Sequence, residues 1–141
     1  MQCSVLLVCG IPGSGKSTFS RMLRDKFQEA PQPLSLSTCV ISFDDYEIHV
    51  EEWDSESFMM SRVAGMSALE KQLKEQKYRL LIVDDIMFYS SMRRKVYQLA
   101  RKYGASYSVI HVEVPLAVAM DRNSIRPEAT RVKDEVHCTG K

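Results

Sequence analysis

Gly10-Ile11-Pro12-Gly13-Ser14-Gly15-Lys16-Ser17-Thr18 closes an apolar run and spells G-x-x-x-x-G-K-[ST]. The spacing has a physical reason. Glycines let successive backbone N–H groups curl around a triphosphate, the lysine puts a point charge on the β- and γ-phosphates, and the hydroxyl after it is a ligand for Mg²⁺. A helix that opens where the loop ends adds its positive end to the same nest. Ser4–Cys9 before the loop reads as a buried strand, and Phe19, Met22, Leu23 and Phe27 after it recur at helical spacing. That strand–loop–helix context distinguishes a phosphate-binding loop from a glycine-rich turn, and it sets the fold class.

Outward from the loop, strands and helices alternate. Pro31 and Pro33 end the first helix, and Cys39–Phe43 reads as a second strand running into Asp44-Asp45. Met59, Val63, Met66, Leu69 and Leu73 mark one face of a long helix, with Asp54 as its cap and Glu51, Glu52 and Glu56 at its positive end. Leu80–Val83 is a continuous apolar strand stopping at Asp84-Asp85. Met92, Val96, Leu99 and Tyr103 give another helix, closed by Gly104 just past its end. Tyr107–Val112 is the fourth strand, and Pro115 opens a last helix as its first residue, with Leu116, Met120 and Asn123 along it. Strands apolar on both faces and separated by helices predict a P-loop NTPase of kinase type. Its layers are α/β/α around a mostly parallel sheet, in one domain over residues 1–141.

Bulk composition narrows the partners. With 45% hydrophobic residues, a 141-residue chain can bury one core. The net charge of +1 means that no whole-molecule field gathers nucleic acid, so an RNA or DNA partner needs a local basic patch. Cys3, Cys9, Cys39 and Cys138 show no C-x-x-C and no metal spacing, which leads to an expectation of reduced thiols in a cytoplasmic protein. The run Val5–Cys9 is too short for a membrane span or a signal segment. His49, His111 and His137 carry no ligand pattern.

The two acidic pairs turn triphosphate binding toward phosphoryl transfer. Asp44-Asp45 and Asp84-Asp85 each follow the carboxyl end of a strand, the edge at which open α/β sheets bind ligands and on which the P-loop lies. Of two carboxylates there, one can accept the proton of an attacking hydroxyl and the other can hold Mg²⁺ directly or through water. A helix cap or a turn is the alternative for each pair. Arg122 and Arg126 are four apart, share a helix face and suit a clamp on the ATP phosphates; a solvated basic face is the alternative. Asn123 between them is less telling, since an exposed helix polar residue explains it as well. Arg93, Arg94, Lys95, Arg101 and Lys102 form a second cluster, either a phosphate-backbone contact or a solvated surface. Tyr46, Trp53, Phe88 and Tyr89 lie near the acidic pairs, where they stack a base or wall the pocket.

Four stretches together carry a resemblance: G-I-P-G-S-G-K-S-T-F from Gly10, I-S-F-D-D from Ile41, V-D-D-I-M-F-Y-S-S-M-R-R-K-V-Y-Q-L-A-R-K-Y from Val83, and D-R-N-S-I-R-P from Asp121. The chain resembles the L-seryl-tRNA(Sec) kinase family, a P-loop kinase family related to KTI12-like proteins, over essentially residues 4 to 127. The S-M-R-x-x-V-Y-Q-L-A-R-K-Y stretch is the most specific part. The resemblance implies ATP-dependent phosphorylation of the seryl hydroxyl of seryl-tRNA(Sec). It implies that Gly10, Ile11, Pro12, Gly13, Ser14, Gly15, Lys16, Ser17 and Thr18 bind ATP. Ser17, Asp45 and Asp85 are then the expected Mg²⁺ ligands, Asp44 the better match for the base on the seryl hydroxyl with Asp45 close behind, and Lys16, Arg122 and Arg126 the cations on the transferring phosphate.

Two departures accompany the resemblance. The family often carries Asn shortly after the second acidic pair, where this chain has Ile86-Met87. The family also continues beyond the R-N-x-x-R helix into another core strand and a tRNA-binding region, so a chain stopping at Lys141 is expected to bind ATP while phosphorylating seryl-tRNA poorly or not at all by itself. A kinase for another hydroxyl, such as a polynucleotide 5′-end or a small metabolite, and an ATP-binding module without turnover are the alternative readings.

Overall fold

Four strands, β1 (Ser4–Cys9), β2 (Thr38–Ser42), β3 (Leu80–Asp85) and β4 (Ser106–His111), pair in parallel in the order β2-β3-β1-β4. The computed structural model that gives this arrangement describes residues 2–46, 55–86 and 90–125; the side chains of residues 45, 46, 55, 57 and 58 also lie outside the described part. Register aligns the strand ends: Cys9 stands opposite Asp85 on one side and His111 on the other. Helix α1 (Lys16–Glu29) packs on β1, β2 and β3. Helix α2 (Ser55–Glu75) packs on β2 and β3, and α3 (Ser90–Lys102) on β1 and β4. Helix α4 (Leu116–Ser124) follows β4.

The helices cover opposite faces, giving the three-layer α/β/α fold of a P-loop kinase. Phe19, Leu23 and Phe27 of α1 pack on Val8, Leu80 and Ile82. On the other face Val5, Leu7, Leu81 and Val83 pack with Leu69 and Leu73 of α2 and Val96 and Ala100 of α3. Right-handed crossovers produce this division, because the chain leaves β1 toward β2 but leaves β3 in the other direction, toward β4. The neighbouring ends of β1 and β3 therefore send their following segments to opposite faces. The crevice between them is a topological switch point, where open α/β sheets bind ligands.

Three local expectations change in the structure. First, β3 does not stop before the aspartates: Asp84 and Asp85 pair with Val8 and Cys9 and are buried like the residues before them. Second, the inward line of α2 is Ser61, Gly65, Leu69 and Leu73, while Met59 and Val63 are about two-thirds exposed. The reason is Phe43, whose ring lies against Gly65 so closely that a Cβ there would stand 2.5 Å from it. That contact fixes the rotation of α2 and turns Met59 and Val63 toward a cavity of about 800 Å³ shared with Met66, Met92 and Leu99. Third, α4 begins at Leu116 with Pro115 as its N-cap, one residue later than a proline-first helix.

One other local expectation stands. Gly104 takes the left-handed conformation (φ 68°) after α3. Cys3 and Cys9 are buried and Cys39 half-buried, all as free thiols, and burial pushes each of them up and keeps it protonated. Among the described residues no helix is long and apolar enough to cross a membrane.

Candidate active site

The loop between β1 and α1 has the shape its glycines predict. Gly13 (φ 81°) and Gly15 (φ 92°) are left-handed, a conformation side-chain-bearing residues rarely adopt. The Ser14 N–H donates to the Ile11 carbonyl at 3.1 Å, and the Phe19 N–H to the Gly15 carbonyl at 2.9 Å. Gly15 caps α1 without a side-chain hydrogen bond, and the first turn holds no acidic residue. The leading N–H groups of α1 thus have no capping side chain of their own, the arrangement that suits an anion. Lys16 is 3% exposed, Ser14 3%, while Thr18 lies on the solvent side of α1.

Helix α4 closes over this loop. A Cβ on Gly13 would stand 2.2 Å from the Ala119 carbonyl oxygen, so helix and loop touch through their backbones. Ala119 and Asn123 form the buried side of α4; Asn123 is 1% exposed, correcting the expectation of a surface polar residue. Arg122 extends from the same turn, and its Nη1 donates to the Gly13 carbonyl at 3.4 Å. The guanidinium is therefore already at the rim of the phosphate cradle. Arg126 lies outside the described residues.

At the end of β3 the two aspartates part company. Successive side chains on a strand point to opposite faces, so residues that look like one pair in sequence serve two sites. Asp84 lies on the α1 side. Burial pushes its carboxyl up, the Lys16 ammonium and the Ser17 hydroxyl pull against that, and the charges of Asp44 and Asp85 add to it. Its Oδ1 is buried with no hydrogen-bond partner. Asp85 lies on the α2 side and is ion-paired with Arg62, its side chain 3% exposed. Burial pushes this carboxyl up as well, against the pull of the Arg62 guanidinium. Arg62 also lies over the Phe43 ring, 5.4 Å from the centroid, tying Asp85 to the wedge that orients α2.

Asp44 follows Phe43 in a 3₁₀ turn over Phe43–Tyr46, at the end of β2. Phe43 is 1% exposed and anchors the turn, while Asp44 is exposed on the ligand-binding edge. Its charge acts on both Asp84 and Asp85. The side chain of Asp45 lies outside the described part, as do Trp53, Phe88 and Tyr89.

The structure thus gathers Lys16, Ser17 and Asp84, sets Arg122 over the loop and brings Asp44 to the same edge. Asp85 is turned to α2. Sequence reasoning named Asp84 only as a member of its pair, with the metal role on Asp85, and did not single out Arg62, which enters through its ion pair with Asp85. The two-residue strand period could have separated Asp84 from Asp85; Arg62 gives no signal in sequence, since only the packing of α2 brings it to β3. Among the described residues no three His, Cys, Asp or Glu side chains gather as a metal cage. A hydroxyl and one buried carboxylate oxygen lacking a partner, beside the Lys16 ammonium, are nonetheless oxygen donors of the kind that Mg²⁺ takes beside a nucleotide. The residues fit the ion.

The family described as chromatin associated protein KTI12 matches residues 4–138. Among curated proteins, the L-seryl-tRNA(Sec) kinase of Homo sapiens is 27% identical, with 96% of this chain and 53% of that protein covered. The L-seryl-tRNA(Sec) kinase of Methanococcus maripaludis is 29% identical, with 94% and 49% covered. The chain spans about half the length of these curated relatives. Among solved structures, Chaetomium thermophilum Kti12 in complex with ADP-AlF3 superposes with a TM-score of 0.72 at 19% identity, over 96% of this chain and 79% of that one. At that identity the likeness is one of fold.

Proposed function

The chain belongs to the KTI12 family, and on that premise we propose that it is the catalytic core of an ATP-dependent kinase whose acceptor is the seryl hydroxyl of seryl-tRNA(Sec). The observation that carries phosphoryl transfer is the convergence of Lys16, Ser17 and an Asp84 oxygen with no partner at the β1/β3 crevice. The relatives named L-seryl-tRNA(Sec) kinase support the choice of acceptor.

In this reading the loop N–H groups and the start of α1 bind the β- and γ-phosphates, and the Lys16 ammonium sits on the transferring group. Arg122 adds a second cation from the α4 side. Ser17 and Asp84 would hold Mg²⁺, which would supply neutralisation of phosphate charge. Asp44 accepts the proton as the acceptor oxygen bonds to the γ-phosphorus and the bond to the β-phosphate oxygen breaks. Asp84 takes the metal role first assigned to Asp85, because Asp85 already faces a guanidinium within the protein.

The test is transfer from γ-labelled ATP to three acceptors: seryl-tRNA(Sec), an RNA with a 5′-hydroxyl, and a small alcohol. Label on the seryl group in preference to the other two acceptors, even at a low rate, is the expected result. Asp44→Asn should then leave nucleotide affinity intact and lower turnover by about 10²- to 10⁴-fold, the range for losing a general base. Loss with Asp45→Asn instead would move the base by one residue. Nucleotide binding with transfer to none of the three would replace the kinase by an ATP-binding module.

A further inference from the structure

Helix α3 carries Arg93, Arg94, Lys95, Arg101 and Lys102 and no acidic residue. The whole chain is only +1, so the remainder is net acidic. A solvated helix face ordinarily mixes signs, because opposite charges four apart support each other. Helix α2 does this, with Lys71 near Glu75 and Lys74 near Glu70. Helix α3 does not. Arg94, Lys95 and Arg101 are exposed, and no carboxylate among the described residues pairs with them. Lys102 alone of the exposed four reaches one, Glu70 of α2 at 3.1 Å. Arg101 instead donates to the Tyr97 hydroxyl at 3.2 Å, and the Tyr97 ring stands edge-on to Tyr107 at 5.5 Å, 40% exposed among the cations.

The placement gives this face a direction. Helix α3 begins at Ser90, just past the end of β3, and runs about 20 Å away from the site. Arg94 and Arg101 are two turns apart on one face, about 10 Å. A stripe of unmatched cations that starts at a phosphoryl-transfer site fits an acceptor whose anionic body extends away from its reacting hydroxyl. Backbone phosphates supply such an anion without sequence reading.

We propose that the outer face of α3 holds the phosphodiester backbone of a double-helical arm of the acceptor RNA and aims the end of that arm at Asp44 and the P-loop. This rests on the RNA-borne acceptor of the proposed function. A duplex is favoured over a single strand because duplex RNA is held by shape and phosphate contact, while single strands need a row of stacking rings; α3 exposes one ring, Tyr97.

The experiment is fluorescence anisotropy of a labelled RNA hairpin of about 16 base pairs with the full chain across a salt series. The parent is compared with Arg94→Gln/Lys95→Gln/Arg101→Gln and with Arg94→Gln alone, substitutions that keep helix propensity. The triple variant should bind at least about tenfold more weakly and lose about three from the log–log salt slope, the single variant about one. Nucleotide affinity and thermal unfolding should not move. Equal affinity and slope in parent and triple variant, or no hairpin binding by the parent at low salt, overturns the proposal. So does displacement of the hairpin by single-stranded RNA or polyglutamate at equal charge concentration, which would make α3 a general polyanion or acidic-protein surface. The two readings fail separately. A parent that phosphorylates seryl-tRNA while the triple variant binds the hairpin unchanged removes α3 alone. An α3-dependent salt slope without transfer to any acceptor removes the seryl-kinase reading alone.

Discussion

Asp84 and Asp85 are neighbours in the chain and equally buried, yet one stands among groups that leave part of its hydrogen-bonding capacity unused and the other is matched inside the protein. On the α1 side, Lys16, Ser17 and Asp84 surround a crevice in which an Asp84 oxygen has no protein partner. On the α2 side, Arg62 meets Asp85 and lies over the ring of Phe43, which in turn presses on Gly65. The difference separates two uses of one residue type. A buried carboxylate whose compensation comes from a ligand keeps its electrostatic cost until the ligand binds. One compensated by a guanidinium fixes the position of a helix.

Identical substitutions on the two sides should therefore have unequal effects on stability. The largest effect is expected from Asp85→Asn, which removes the counter-charge of a guanidinium that remains ionised and mostly buried. We expect a loss of about 3 kcal/mol or more in denaturant unfolding. The double variant Asp85→Leu/Arg62→Leu should recover most of it, since removing both charges also removes the cost of burying them. A single Asp85→Asn within experimental error of the parent would dissolve the distinction between the two sides.

Asp84→Asn comes next. One oxygen of this carboxyl has no protein partner to lose, so a neutral isostere should cost far less stability than Asp85→Asn, which breaks an ion pair. Its cost should appear in turnover, by about 10²- to 10³-fold, the scale for losing one preorganised electrostatic contact in an active site. The Mg²⁺ concentration needed for half-maximal nucleotide-dependent activity should rise with it. If Asp84→Asn keeps full turnover and Asp85→Asn, refolded and stable, loses it, the roles of the two sides are exchanged.

The sequence made the cradle visible because its requirements are local. Gly13, Gly15, Lys16 and Ser17 act through backbone angles and spacing within one loop, and the strand and helix that flank it are each readable from hydrophobic period. Parallel pairing was legible for a similar reason, as β3 is apolar on both faces. What escaped was set by contacts between distant segments. The rotation of α2 depends on Phe43 meeting Gly65, and without that contact the apolar stripe through Met59 and Val63 looks like the core face. The burial of Asn123 depends on α4 lying over the P-loop. The division between Asp84 and Asp85 depends on β3 continuing two residues past its last apolar side chain, which is decided by pairing with β1 rather than by β3 itself.

The smallest effect belongs to the opposite end of α2, which sharpens the comparison by being exposed. There Glu70 accepts hydrogen bonds from the Tyr103 hydroxyl at 2.6 Å and the Lys102 ammonium at 3.1 Å, clipping α2 to α3. Those two donors, Tyr103 first, hold the Glu70 carboxyl below its ordinary range. The sign follows from linkage: a carboxyl depressed in the folded state contributes stability above its unfolded value of 4.5 and loses it as the pH falls through the folded value. Glu70→Gln should therefore lower the unfolding temperature slightly at neutral pH, and the gap to the parent should close as the pH drops below 4.5. Salt should shrink the gap as well, because the cluster is open to solvent. The buried Arg62–Asp85 pair should respond much less to salt. A Glu70→Gln gap that persists unchanged at low pH would mean that this clip acts through packing of the side-chain stem, and that charge holds α2 only at the end where it is buried.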